Sequence, residues 1–373
     1  MPMINVCIIF GGKSVEHEIS VISANSILNS INHNKYAVNG IYINKNGEIT
    51  YTDIIKNKSD RLEFKPSKSN KILISVGSEN SLLVFNKRKL IKTLRPDVFF
   101  PVIHGTSGED GSIQGLLELM NKPYVGCDVQ SSSICIDKIM TKKLIKNAGI
   151  RTTEFVEISK DDWVNKKTKI LNRVKKNIGV PCFVKASNLG SSIGIYKTNK
   201  AKDLSKNISK SFKYASTILI EESILDVEEI EVSVLGNESL TVSCPGSIAP
   251  SSEFYDYNAK YIDGKSLTEI PYSRSLKNKS LGVEIHSMST KAYKELNCSG
   301  MARVDFLYGK TIKRNKPALF LSEINTIPGF TEISMYPKLL EHGGLKLEKV
   351  IVTLINLAIK KYNLKKKLVT SFD

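Results

Sequence analysis

No run of the roughly 20 apolar residues that a membrane helix needs occurs anywhere in the 373 residues. The opening residues Met1-Pro2-Met3-Ile4-Asn5 carry neither the basic stretch nor the apolar stretch of an export signal, so a cytoplasmic location is the expectation. The six cysteines (Cys7, Cys127, Cys135, Cys182, Cys244, Cys298) include no C-x-x-C pair, and the five histidines no H-x-x-x-H spacing. That argues against a disulfide framework and against a metal held by nitrogen and sulfur, and leaves buried, reduced thiols. Internal repeats, low-complexity linkers, helix-turn-helix and RNA-binding signatures are missing too.

What the chain does have is charge of one sign. Lys and Arg number 54 against 37 Asp and Glu, a net +17. A basic chain suits nucleic acid or an anionic surface. Here the excess is lysine scattered among Asn and Ile (Lys56-Asn57-Lys58, Lys166-Lys167, Lys365-Lys366-Lys367), never interleaved with aromatics. A genome rich in Lys, Asn and Ile codons accounts for it, so no nucleic-acid partner is expected. Hydrophobic residues at 41% and charged ones at 24% fit a soluble globular protein of two or three lobes.

Periodicity outlines those lobes. A strand over Ile4 to Phe10 breaks at Gly11-Gly12, a helix follows with Val21, Ala24, Leu28 and Ile31 at helical spacing, and a strand from Val38 to Ile43 completes a β-α-β unit. Residues 51–96 are polar and weakly periodic and read as surface elaboration. A strand from Asp97 to Ile103, a helix near Ile113 to Met120 and a short strand Tyr124 to Gly126 close an open α/β sheet. Near Ser131 a long helix begins, with Ile136, Ile139, Met140 and Leu144 on its apolar side and Gly149 as C-cap. Short strands are expected at Cys182 to Lys185, Ile193 to Tyr196 and Thr217 to Glu221. Longer ones follow at Glu231 to Leu235, Ala302 to Tyr308 and Ala318 to Ile324, with helices near 279–296 and 347–362. The fold class is α/β and α+β, in lobes of 1–130, 131–229 and 230–373.

Chemistry gathers in the apolar strands. Glu323 and Asn325 point to one face because strand side chains alternate, and an adjacent strand bearing Asp305 would bring three oxygen donors together. That donor set suits Mg²⁺ and leaves positions for phosphate oxygens. Solvated acids are the bland alternative, but a bare charge within Val304-Asp305-Phe306 or Leu321-Ser322-Glu323-Ile324 would be costly. Lys185 ends another apolar strand before the small turn Ala186 to Gly194, whose backbone N–H groups could cradle polyphosphate, although an ordinary hairpin turn is as good a reading. It is not a Walker A loop, since the spacing differs and no helix follows. Lys138 on a helix, and Glu221, Glu222 and Glu229 around strand ends, would each be merely solvated if read alone. The loops Gly11 to Glu18 and His104 to Gly111 follow strands of the same sheet, where open sheets present ligands.

Together these segments resemble the D-alanine–D-alanine ligases of the ATP-grasp superfamily, from the first strand to Tyr336-Pro337. The resemblance lies in GGKSVEHEIS (11–20), HGTSGEDGSIQG (104–115), Asp137-Lys138, VKASNLGSSIGI (184–195), EFYDYNAKY (253–261), GMARVDF (300–306) and EINTIPGFTEISMYPKL (323–339). Ala186 stands where the family has proline, Ser247 where an acid is common, and Glu222 to Asp226 departs from the usual linker.

The resemblance implies an ATP-grasp fold: an N-terminal open parallel α/β sheet, a small central lobe and a larger C-terminal lobe. It implies ATP-dependent joining of two D-alanines through an acyl phosphate, for peptidoglycan precursors. Lys138 and Lys185 would hold ATP phosphates, Glu221 and Glu222 approach the adenine, and Glu229 approach the ribose. Asp305, Glu323 and Asn325 would bind two Mg²⁺ (or Mn²⁺). Arg303 and the backbone N–H of Gly329 would stabilise the oxyanion. Glu16 would hold the first D-alanine's ammonium with His104 nearby, and Lys260 and Ser334 the second's carboxylate. Glu16, Ser191 and Tyr261 would latch a loop over the site. A homodimer is implied as well. The alternatives are a ligase making D-alanyl-D-lactate or D-alanyl-D-serine, and a nucleic-acid- or surface-binding protein on a degenerate scaffold.

Overall fold

A computed structural model describes residues 3–77, 80–190, 193–249 and 267–369. The apolar strand Ile4–Gly11 lies parallel to Tyr36–Ile43 on one side and to Val98–Pro101 on the other, with helix His17–Ser30 as crossover. The expected strand at Tyr124 shrinks to a single bridge with Phe99.

The stretch read as surface elaboration is instead sheet. Ile49–Lys56, Leu62–Ser75, Ser81–Asn86 and Lys89–Leu94 continue outward from Tyr36–Ile43, each antiparallel to its neighbour, to make seven strands. The sheet is therefore mixed, not the open parallel sheet the resemblance implied. Its alternation was blurred because Lys65, Lys68 and Lys71 crowd one strand, while Leu73, Leu90 and Ile91 face solvent. Among the described residues there, Phe64, Ile72, Leu82, Val84 and Leu94 are the buried hydrophobic side chains on these strands, with Tyr51, Leu62 and Ile74 packed partly against the core.

The single long helix expected after Ser131 is two, Val129–Ile136 and Lys138–Asn147, broken at Asp137. The Asp137 carboxylate accepts from the backbone N–H of Ile139 at 2.9 Å and of Met140 at 3.1 Å, capping the second helix. Met140 and Leu144, assigned to the apolar side, are exposed. The buried face instead carries Lys138, Ile139, Thr141, Lys142 and Ile145. A helix that buries two lysines has a reason other than core packing.

The central sheet runs Tyr196–Thr198, Cys182–Ala186, Thr217–Glu222, Phe155–Ser159, all antiparallel, over its own core of Ile158, Val174, Val184, Ile218 and Ile220. Ile193 to Ile195, expected as strand, is turn, because Gly194 at φ +69° bends the chain. The third sheet runs Leu267–Glu269, Gly246–Ala249, Leu225–Gly236, Gly300–Thr311, Arg314–Asn325, with Leu240–Val242 also paired to Leu225–Gly236. Helix Lys279–Glu295 covers one of its faces. The terminal helix Leu347–Lys365 joins Val6, Phe10, Val98 and Phe100 of the first sheet to Met301 and Tyr336 in one core. First and third sheets thus share a hydrophobic centre.

All six cysteines are free thiols, five of them buried. Among the described residues no helix is long and apolar enough to cross a membrane.

Candidate functional site

Register assembles the site. Glu231 pairs with Asp305, and Asp305 with Glu323, so three acids stand side by side across three strands. Two residues back, Ser233 pairs with Arg303 and Arg303 with Asn325, on the same face. Arg303 donates to Asp305 through Nε at 2.8 Å and Nη2 at 2.7 Å, and its Nε lies 3.0 Å from Glu231 Oε2. Asn325 Nδ2 donates to Asp305 Oδ2 at 2.8 Å.

A lysine pair faces this patch. Lys138 opens its helix with its backbone N–H on the Ser187 carbonyl, and its ammonium donates to the Leu189 carbonyl at 2.6 Å. The same ammonium lies 3.8 Å from Glu323 Oε2. Lys185, from the central sheet, pairs with Glu221. Burial pulls the Lys185 ammonium toward release, but Glu221, with Glu323 and Glu229 beyond it, holds its affinity for the proton above the ordinary lysine value.

Two chambers meet here. One is lined by Lys138, Lys185, Glu222, Glu229, Asp305 and Glu323, with Phe183, Ile224, Val227 and Leu307 as apolar walls. The other, more polar, holds Glu16, His104, Arg303, Asn325 and Gly329. Lys138, Gly190 and Glu323 border both, so the chambers adjoin.

The first sheet contributes the second chamber's rim. His17 Nδ1 lies 2.7 Å from the Gly12 carbonyl and braces the loop that carries Glu16. Gly105, at φ +73°, lets Glu16 approach, since a Cβ there would stand 2.8 Å from its Oε2. His104 Nδ1 donates to the Ile327 carbonyl at 2.9 Å and lies 3.8 Å from Glu109 Oε1, while Nε2 lies 3.2 Å from Ser23 Oγ. Burial alone would lower the His104 pKa, but the Glu109 and Glu16 carboxylates raise it above the ordinary 6.5. Burial and Glu16 together push the Glu109 carboxyl up, against the pull of His104.

Of the residues marked from sequence, Ser334 lies behind Gly329, its Oγ accepting from the Thr331 N–H at 3.1 Å. A Cβ on Gly329 would stand 2.7 Å from that oxygen. The Glu221 carboxylate is engaged by Lys142, Lys185 and Thr153, so its side chain faces lysines. Ser191, Lys260 and Tyr261 fall outside the described residues. Three contributors escaped the sequence reading. Glu109 closes a loop that otherwise reads as turn. Glu231 was signalled by its place between Ile230 and Val232, two residues from Glu229. Lys142 left no signal beyond its spacing from Lys138.

Among the described residues no three His, Cys, Asp or Glu side chains form a metal-binding group. The fitting set is two carboxylates and an amide, all able to offer oxygen of the kind Mg²⁺ prefers; Asp305 accepts from Arg303 and Asn325, and Glu323 lies near the Lys138 ammonium.

Comparison with known proteins identifies the family. The family models described as "D-ala D-ala ligase N-terminus" and "D-ala D-ala ligase C-terminus" match residues 5–127 and 144–356. A D-alanine–D-alanine ligase of Thermoanaerobacter sp. (strain X514) is 44% identical over 96% of this chain and 97% of its own. One from Caldicellulosiruptor bescii is 42% identical over 99% and 98%. Among solved structures, the D-alanine–D-alanine ligase of Coxiella burnetii superposes with a TM-score of 0.80 at 32% identity, covering 98% of this chain and 97% of that one. The VanG D-Ala:D-Ser ligase of Enterococcus faecalis gives 0.80 at 31%, covering 96% and 100%.

Proposed function

The chain belongs to the D-alanine–D-alanine ligase family, and we propose that it performs the family's reaction on the side-chain patch formed by Glu231, Asp305, Glu323, Arg303 and Asn325. The reaction is ATP-dependent joining of two D-alanines, releasing ADP and phosphate and supplying peptidoglycan precursors. The first D-alanine's carboxylate attacks the γ-phosphate, displacing ADP, to give an acyl phosphate, and the second D-alanine's amine displaces that phosphate. The observation that carries this reading is the in-register row of acids facing Lys138 and Lys185.

The family resemblance, supported by position where residues are described, leads us to infer these roles. Lys138 and Lys185 would meet the phosphates, and Glu222 and Glu229, which line the same chamber, would approach adenine and ribose. Asp305, Glu323 and Asn325 would hold two Mg²⁺ (or Mn²⁺), which would supply charge neutralisation for the triphosphate. Glu16 would take the first D-alanine's ammonium, beside His104. Arg303 and the Gly329 N–H border the same chamber and would stabilise the oxyanion. Ser191, Lys260, Tyr261 and Ser334 complete the reading as latch and second-substrate residues; closure of such a latch would keep water from the acyl phosphate. Three lobes (1–130, 131–229, 230–373), a homodimer and a cytoplasmic location belong to the same reading.

One assay tests it. The protein is given ATP, Mg²⁺ and D-alanine, with D-lactate and D-serine in competition, and products are read by mass together with phosphate release. D-alanyl-D-alanine as the main product supports the reading. A main product of D-alanyl-D-serine would move the chain to the D-Ala:D-Ser activity of the VanG neighbour, and no phosphate release would sink both.

A further inference from the structure

Lys142 sits one turn after Lys138 on the same helix face. Lys138 borders the nucleotide chamber, whereas Lys142 lies behind it, its side chain 2% exposed. Its ammonium donates to Thr152 Oγ1 at 2.8 Å and Thr153 Oγ1 at 2.7 Å, and pairs with Glu221 Oε2 at 3.0 Å. Those three partners use all its donors. The other Glu221 oxygen pairs with Lys185. Thr153 Oγ1 also donates to Glu221 at 3.1 Å, and Thr152 Oγ1 donates to the Leu321 carbonyl at 2.9 Å, on the strand that bears Glu323.

A buried ammonium is costly, and a single Glu221–Lys185 pair would already be neutral. The second cation therefore needs another reason. Glu229 and Glu323 also face Lys185, so the cleft is rich in acid where a triphosphate must lie. Every such carboxylate competes with phosphate for the Lys185 ammonium. We propose that Lys142 is a positioning residue: by occupying one oxygen of Glu221 it lets that carboxylate aim Lys185 into the cleft without neutralising it. The cluster then presents net positive charge to the nucleotide's phosphates. Burial would raise the Glu221 pKa, yet the two lysines hold its carboxyl far below the ordinary range, so Glu221 stays ionised. This rests on the ATP reading above.

Titration calorimetry on the whole protein tests it, with a non-hydrolysable ATP analogue and with adenosine as probes. Lys142→Met should weaken the analogue about tenfold, the scale of one nearby charge in a partly screened site, and leave adenosine unaffected. The double variant Lys142→Met with Glu221→Gln should recover most of the lost affinity, because the amide no longer competes for Lys185. Should Lys142→Met fail to fold, Thr153→Val removes only the hydroxyl shared by Lys142 and Glu221, and should weaken the analogue roughly threefold. Analogue affinity unchanged in the variant that folds, equal loss for analogue and adenosine, or no recovery in the double variant would overturn the proposal. If the wild-type protein itself fails to bind the analogue, the ATP reading falls and the proposal falls with it.

Discussion

Asp305 stands directly opposite Glu323 on the neighbouring antiparallel strand, with Glu231 opposite Asp305 on its far side. Like charges directly opposite one another destabilise a sheet. Nothing in the packing of the strands calls for them, since Val304, Phe306 and Ile324 on either side fill the core well. Arg303 and Lys138 offset part of the row's charge, and a cationic occupant would relieve more of it.

Glu323→Gln should therefore cut ligase turnover by at least about a hundredfold, the scale of losing one electrostatic group at the reacting charge. The same change should leave the melting temperature unchanged or slightly higher, because it removes a like-charge neighbour. Phosphate release and thermal melting on one preparation check both. Near-normal turnover in excess EDTA would falsify the metal assignment.

Gly105→Ala meets two obstacles at once. Its φ of +73° costs a side chain about 1–2 kcal/mol, and the new methyl would press on Glu16 Oε2 at 2.8 Å. Lower stability and a raised KM for D-alanine are expected, with the KM for ATP little changed. Equal rises in both KM values would show that the loop has collapsed instead of shifting Glu16.

His104 should give the protein a pH signature. Its folded pKa is raised by Glu109 and Glu16, so the protonated imidazole adds stability that is complete below 6.5 and fades as pH climbs through the raised value. The melting-temperature gap between wild type and His104→Gln should be wider at about pH 6 than at about pH 9. A gap that is constant, or widens with pH, would mean that His104 is neutral in the folded chain.

Choice of the second substrate turns on charge. D-alanine arrives as an ammonium and must lose a proton before its nitrogen attacks, whereas D-lactate brings a neutral hydroxyl. The segment Phe254 to Tyr261 ends on a neutral phenol, where a histidine could turn cationic and repel the ammonium. Dipeptide should exceed depsipeptide at neutral pH and above when D-alanine and D-lactate compete. Mainly D-alanyl-D-lactate would refute this reading of the loop and spare the ligase assignment.

Leu354 is fully buried in the core shared by the first and third sheets. Leu354→Ala should cost about 2–5 kcal/mol, and denaturant unfolding followed by circular dichroism would measure it. If the two sheets unfold as one unit, both should lose structure together.

The row of acids was legible because strand alternation is a rigid rule. Once Glu323 and Asn325 shared a face, only the neighbour bearing Asp305 had to be found. Lys142 was not legible, since a helical lysine reads as solvated until Glu221 is known to lie behind the helix. Residues 51–96 misled for a related reason. Their strands bury one face thinly, and Lys65, Lys68 and Lys71 interrupt the alternation that marks the strands elsewhere. Glu231 was within reach, because an acid between Ile230 and Val232 is as anomalous as Asp305 between Val304 and Phe306. The split at Asp137 could also have been read, as an aspartate two and three residues before N–H groups it can cap.

The terminal helix lends the molecule a timetable. Val350, Ile351, Leu354 and Ile355 complete a core whose other half, Val6, Phe10, Ile27 and Leu28, leaves the ribosome more than three hundred residues earlier. During synthesis that early half must wait with its apolar face uncovered, the situation in which nascent chains turn to chaperones or to one another. Contacts so distant along the chain also slow the search for the native state. Refolding from denaturant should be slower than secondary structure alone would suggest, and a chain stopped before Leu347 should aggregate.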